Sequence, residues 1–231
     1  MKIRTGGMPV KAVFVDFEMN PIKREQRQAR RICAGEIIEI GAVKLNEQGK
    51  EISFYKEYVR PEYTTEMDNT CQQLTGITMS VLSGADHFRT VYERFLRWCN
   101  AEEVNNYEIY AWSESDWRQL NGELLLKQLD STGEDVRWML EHWKNFQQIY
   151  CNILGLDQVI SLDKAVSTLG EKFDGRMHDA LWDARNTSKL YVISKEKKEL
   201  NKIMKPILEA TKPSEPLTYS LADAFQAAKG R

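Results

Sequence analysis

The sequence predicts an α/β domain built on a mixed sheet whose first three strands run antiparallel, flanked by helices. Three observations carry this. An apolar run at 12–19, broken only by Asp16 and Glu18, has the character of a central strand covered on both faces. Two further strand-like runs, 36–45 and 52–60, follow it across a short Gly49-containing turn and end at Pro61. Beyond them, helical periodicity alternates with one more short strand, at 108–113.

The elements follow in order. Residues 1–10, with Gly6, Gly7 and Pro9, read as a loose lead-in. The stretch 21–31 is polar and strongly basic, the pattern of a solvated loop or short helix. Within 72–81, Gly76 marks a tight bend or a helix end. Phe88, Val91, Tyr92, Phe95, Leu96 and Cys99 recur at spacings of three and four, predicting an amphipathic helix over 85–99. After the strand at 108–113, Ser115 or Asp116 is placed to cap a helix reaching about residue 129. A turn is expected at 131–136, a short strand and one helix within 137–154, a short helix at 161–169 and a long helix at 178–195. Pro206, Pro213 and Pro216 then break the pattern, leaving only 221–228 weakly helical. This gives a domain over 1–200 and a C-terminal extension over 201–231, read either as a disordered end or as a segment that docks on a partner or a second copy.

Composition narrows the function. The formal net charge of −2 means that a polyanionic partner must be met by a local basic patch. Cys33, Cys71, Cys99 and Cys151 are scattered with no Cys-x-x-Cys pair, which argues against a zinc cluster or a disulfide framework and for reduced thiols in the cytoplasm. No stretch approaches a membrane span. A Gly-rich phosphate loop and a Walker-type lysine are both missing, which excludes nucleoside triphosphate chemistry of that kind.

Asp16 and Glu18 interrupt the first apolar strand at a spacing of two, so they point to the same face. Two carboxylates crowded near a core resist joint ionisation unless a cation neutralises them. Asp116 follows the strand that ends at Trp112, and His178 stands five residues before Asp183. That last spacing does not stack two side chains on one helix, but a histidine at a helix start and an acid one turn in can converge. Asp16, Glu18, Asp116 and Asp183 together offer hard oxygen ligands for Mg²⁺ or Mn²⁺. Two such ions roughly 4 Å apart activate water and stabilise the leaving oxygen of a phosphodiester. Histidine is suited to take that water's proton near neutral pH.

The segments Val15-Asp16-Phe17-Glu18, Ser113-Glu114-Ser115-Asp116 and His178 to Asp183, in this order, resemble the DEDD-type 3′→5′ exonucleases with histidine in the third motif. The 36–45 strand and Leu74-Thr75-Gly76-Ile77 are similar to that family as well, and the resemblance spans about 10–196. It implies a ribonuclease H-like fold, two Mg²⁺ or Mn²⁺ ions on Asp16, Glu18, Asp116 and Asp183, and His178 as general base. It also implies contacts to the terminal nucleotide from Met19, Leu74, Thr75 and Trp112. The substrate it implies is the 3′ end of single-stranded nucleic acid, cut to nucleoside 5′-monophosphates. RNA is favoured over DNA, because the patterns at 55–61, 74–78 and 178–191 look most like the branch trimming histone mRNA and small RNAs. Relatives often carry Trp-Gly before the second-motif acid, whereas this chain has Trp112-Ser113-Glu114-Ser115, which makes Glu114 a rival to Asp116. A DNA exonuclease or proofreading subunit is the alternative enzyme reading. An inactive nucleic-acid-binding module is the non-enzyme one.

Overall fold

β1 (Lys11–Pro21) is apolar on both faces because both faces are covered: Val13, Val15 and Phe17 enter one core and Ala12 and Phe14 the other. The computed structural model describes residues 11–170 and 172–196, so the lead-in at 1–10 and the expected extension at 201–231 lie outside the described residues. A six-residue helix, α1 (Arg27–Ile32), separates β1 from β2 (Gly35–Leu45), and β3 (Glu51–Tyr58) follows. Three helices come next: α2 (Asn69–Thr75), the single turn α3 (Met79–Leu82) and α4 (Phe88–Cys99). β4 (Tyr107–Ala111) leads into α5 (Glu114–Leu126) and α6 (Glu134–Glu141). β5 (Trp143–Asn145), α7 (Phe146–Leu154), α8 (Leu162–Ser167) and α9 (Ala180–Lys195) complete the described chain.

The sheet order is β3-β2-β1-β4-β5. β1, β2 and β3 pair antiparallel, whereas β4 lies parallel to both β1 and β5, giving the ribonuclease H-like mixed sheet that the sequence predicts. Phe88, Val91 and Phe95 of α4, Leu120 and Leu124 of α5 and Met139 of α6 pack on the Val13–Val15–Phe17 face. Leu181, Ala184 and Leu190 of α9 cover the Phe14 face with Phe146 and Tyr150 of α7. β4 pairs only with Lys11 to Phe14, so the second half of β1 runs beyond β4 and leaves a notch at that edge. The functional site is built in that notch.

Several boundaries differ from expectation. Ser113, not Ser115 or Asp116, caps α5, its hydroxyl accepting from the Ser115 N–H, so Asp116 lies inside the first turn. The expected turn at 131–136 already contains the start of α6, whose first turn carries Glu134 and Asp135, the sign a helix N-terminus favours. The region 137–154 therefore holds parts of two helices with β5 between them. α9 starts at Ala180 with Asp179 as cap, so His178 precedes the helix. Gly76 ends α2 in the left-handed conformation, φ +71°, as a glycine permits. All four cysteines are buried and unbridged. No helix among the described residues is long and apolar enough to cross a membrane.

Candidate active site

Strand alternation puts Asp16 and Glu18 on the face of β1 that α9 covers, opposite Gly41 and Glu39 of β2. Gly41 decides how close α9 comes. A Cβ there would lie 2.1 Å from the Leu181 nitrogen and 2.2 Å from the Ala180 carbonyl carbon, so only glycine lets the first turn of α9 rest on the backbone opposite Asp16.

Charged partners then fasten that turn. The Ala180 N–H donates to Glu39 Oε2 at 3.0 Å, and the Trp182 N–H to Asp179 Oδ1 at 3.4 Å. Lys56 Nζ reaches both Glu39, at 3.3 Å, and Asp179, at 2.5 Å. His178 takes a left-handed backbone, φ +60°, that brings the chain sharply into α9. Its N–H donates to Asp183 Oδ2 at 3.3 Å. Glu18, His178 and Asp183 as a result present ligand atoms that all lie within 4.8 Å of one another. The other oxygen of Asp183, Oδ1, is buried and accepts no hydrogen bond from the described residues.

Asp116 arrives from α5. β4 has already ended alongside β1, and Asp116 Oδ1 takes its place by accepting from the Phe17 N–H at 3.2 Å. That backbone donor lies between Asp16 and Glu18. Glu114 is exposed and paired with Arg118 at 2.9 Å on the solvent side of the helix. The two candidates for the second motif are therefore separated by geometry: Asp116 is 4% exposed and faces the acids of β1, whereas Glu114 does not.

Electrostatics record the crowding. Burial pushes Glu18 up to about 8, with Asp183, Glu39 and Asp116 adding repulsion. Burial raises Asp116 to about 7 against the opposing Phe17 N–H. Asp183 rises to about 7, again chiefly through burial, opposed by the His178 N–H and reinforced by Asp179 and Asp116. Asp16 is held well above the usual carboxylate range by burial, then by Asp116, Asp183 and Glu18. Four carboxyls that cannot all ionise alone form an oxygen-rich set with a net demand for positive charge. The unpartnered Asp183 Oδ1 gives the same indication, since a buried carboxylate oxygen without a donor is costly. The residues present fit a divalent cation.

The remaining positions differ among themselves. Leu74 is 47% exposed at the end of α2, and Met19 is half-buried in β1. The Cys71 thiol donates to the Met19 carbonyl at 3.2 Å and so ties α2 to the acid-bearing strand. Arg176, just before α9, donates to the Leu74 carbonyl at 3.0 Å. Thr75 and Trp112 are buried: the Thr75 hydroxyl donates to the Cys71 carbonyl at 2.9 Å, and Trp112 packs on Phe146 and Tyr150. The sequence reading did not single out Glu39, Lys56 or Gly41. Glu39 carried a signal, an acid inside the apolar 36–45 run, but its pairing opposite Glu18 exists only in the folded register.

Comparison with known proteins agrees with this geometry. The family model RNase_T, described as Exonuclease, matches residues 13–191. The 3′-5′ exoribonuclease 1 of Rattus norvegicus is 29% identical over 163 residues, covering 68% of this chain and 46% of that protein. The 3′-5′ exonuclease Snipper of Drosophila melanogaster is 24% identical over 194 residues, covering 77% of this chain and 66% of that one. Among solved structures, the nuclease domain of 3′hExo, described as a DEDDh family member bound to rAMP, superposes with a TM-score of 0.68. It is 26% identical over 80% of this chain and 92% of its own. The chain spans about half the length of the exoribonuclease 1 relatives it matches.

Proposed function

This chain belongs to the RNase_T exonuclease family, and from that premise we propose that it is a metal-dependent 3′→5′ exonuclease. It removes nucleoside 5′-monophosphates from the 3′ end of single-stranded nucleic acid, with RNA the preferred substrate. The observation that carries the reading is the convergence of Asp16, Glu18, Asp116 and Asp183 from three separate elements, with His178 beside them. A relative's nuclease domain bound to rAMP, a product-like ribonucleotide, supports the choice of sugar.

Asp16, Glu18, Asp116 and Asp183 would hold Mg²⁺ or Mn²⁺. When bound, such ions supply a nucleophilic water at neutral pH and charge stabilisation for the phosphate and its leaving oxygen. The protein's own residues do the positioning. Glu39, Lys56 and Asp179 hold the first turn of α9, so the Asp183 carboxyl stays near Glu18. The Phe17 N–H holds Asp116 toward the same space. His178, exposed at the rim, accepts the proton of the attacking water and passes it to solvent. Leu74 and Met19 offer an apolar seat for the terminal base.

A digestion ladder on matched RNA and DNA oligonucleotides, with free and blocked 3′ ends, tests polarity, sugar choice and activity together. Stepwise loss of 3′ nucleotides from RNA in Mg²⁺ or Mn²⁺, abolished by chelator and by D183N, is expected. Undiminished activity of D183N would overturn the reading. Faster digestion of the DNA strand would favour the DNA-acting alternative, and equal rates would remove the RNA preference, because the 2′-hydroxyl is what distinguishes the two strands.

A further inference from the structure

We propose that α1 and the turn before it form a phosphate-binding track that holds the nucleic-acid strand upstream of the cut end. The inference rests on the exonuclease reading above and adds a surface to it.

Lys23 to Arg31 carries five cations and one acid in a chain whose net charge is −2. At about 100° per residue, Arg27, Arg30 and Arg31 share one face of α1, opposite the buried Ala29. Ala29 packs with Ile22, Cys33 and Leu126 of α5, so the helix presents that face from a fixed seat. Arg24, Arg27 and Arg31 make no ion pair among the described residues. Folding accounts for Arg30 and Arg31, which stand in the last turn where the helix dipole favours a cation, and Arg30 donates to the Ile22 carbonyl at 3.5 Å, but it does not account for Arg27. Arg27 stands in the first turn, where the helix dipole disfavours a cation, and Arg27 and Arg31 are a like-charged i,i+4 pair. The helix also lacks a side-chain cap, and six residues hold few internal hydrogen bonds. An anion bound across Arg24, Arg27 and Arg31 would relieve the repulsion between Arg27 and Arg31.

Position selects the anion. The basic stretch begins where β1 ends, and Pro21 lies three residues past Glu18, about 10 Å along a strand. That distance corresponds to about three stacked nucleotides at 3.4 Å each. A groove lined on this side by Pro21, Lys23, Arg24 and Arg30, with Glu25 among them, is closed on the other by Glu66 and Asp68, which lead into α2 and its exposed Leu74. Neither acid is free to repel a phosphate strongly. Glu66 is paired with Lys23 at 2.5 Å, and Asp68 caps α2 by accepting from the Thr70 and Cys71 N–H groups. A strand seated at Leu74 thus has a cationic exit toward α1.

The test uses the full chain with cleavage disabled by D183N and fluorescein-labelled oligouridylates of 3 and 14 nucleotides, read by anisotropy across a salt series. R24Q/R27Q/R31Q is expected to weaken binding of the 14-mer by about 10- to 100-fold and to reduce the salt slope by about 2, the value for three phosphates on a single strand. Binding of the 3-mer stays unchanged, and R24K/R27K/R31K recovers most of the affinity. Unchanged 14-mer binding and slope would overturn the proposal, as would equal losses on both lengths or failure of the lysine variant. Binding to phosphatidylglycerol vesicles that the glutamine variant abolishes, with RNA binding intact, would overturn it in favour of a membrane surface. Failure of the parent chain to bind or shorten any oligonucleotide would remove the exonuclease reading itself, and is visible before any arginine is changed.

Discussion

Replacing Glu18 by Gln should make the decline of stability with rising pH shallower, leaving the part that Asp16, Asp116 and Asp183 contribute. Glu18 is 9% exposed, and its burial, with repulsion from Asp183, Glu39 and Asp116 added, raises it from 4.5 to about 8. A carboxyl raised on folding keeps its proton in the native state and loses it in the unfolded state. Its stabilising contribution is therefore complete below about pH 4.5 and disappears as pH climbs toward 8. At 1.36 kcal/mol per pH unit, Glu18 alone accounts for a decline of about 3–5 kcal/mol across that window. For a chain of this size, about 2–4 °C in Tm accompanies each kcal/mol, so the metal-free protein should melt on the order of 10 °C lower at pH 8 than at pH 5. Mg²⁺ or Mn²⁺ at about 100 times its Kd should restore about 2.7 kcal/mol at pH 8. The assay is differential scanning calorimetry from pH 5 to 8.5 in EDTA and in excess cation, on the parent and on E18Q. E18Q should show a shallower decline and a smaller response to cation. A flat Tm for the parent in EDTA, or an identical pH slope in E18Q, would refute the idea that these carboxyls repel one another in the fold.

Other outcomes can be stated more briefly. D116N should lower kcat on a 3′-labelled RNA by about 10³-fold, roughly 4 kcal/mol of transition-state stabilisation, whereas E114Q should change it less than twofold. Equal losses would restore Glu114 as the second-motif acid. G41A should place a methyl against the Ala180–Leu181 backbone, costing about 1–3 kcal/mol and displacing α9 enough to cut kcat by about 10²-fold. Parental activity and Tm in G41A would show that α9 adjusts freely. K56M should leave Glu39 and Asp179 facing each other without their shared cation. Its kcat should fall about 10- to 100-fold with KM little changed, and a KM effect alone would place Lys56 in substrate binding instead.

The parts of the site that a local period specifies were legible in the sequence. Asp16 and Glu18 share a face because strands repeat every two residues, and the pairing with β2 stays in register from Ala12 to Glu18, shifting only after it. The convergence of His178 and Asp183 was anticipated from a histidine at a helix start, although the helix begins two residues later than expected and His178 joins it through a left-handed turn. Choosing between Glu114 and Asp116 required the third dimension. Both sit in the first turn of α5, about 200° apart, and only the ending of β4 beside β1 shows which side faces the acids. Ser131-Thr132-Gly133 reads correctly as a break, but the helix after it starts at once, because Val136 and Met139 bury against the sheet face. Glu39 resembled an ordinary strand acid, since its work depends on a helix 141 residues away in sequence.

The seat of α9 on Gly41 also sets the order in which the site can come into being. β1, β2 and β3 carry Asp16, Glu18, Glu39 and Lys56, and all of them leave a ribosome well before α9 does. Until residues 178–183 follow, Glu39 and Lys56 lack the N-terminal turn they fasten, and neither His178 nor Asp183 exists to complete the acidic set. A nascent chain at that stage lies beside the message that encodes it while holding only part of the proposed site. On the exonuclease reading, synthesis itself delays cutting: a ribosome-bound chain stalled before residue 178 should leave a 3′-labelled RNA undegraded, whereas the released full-length chain should not.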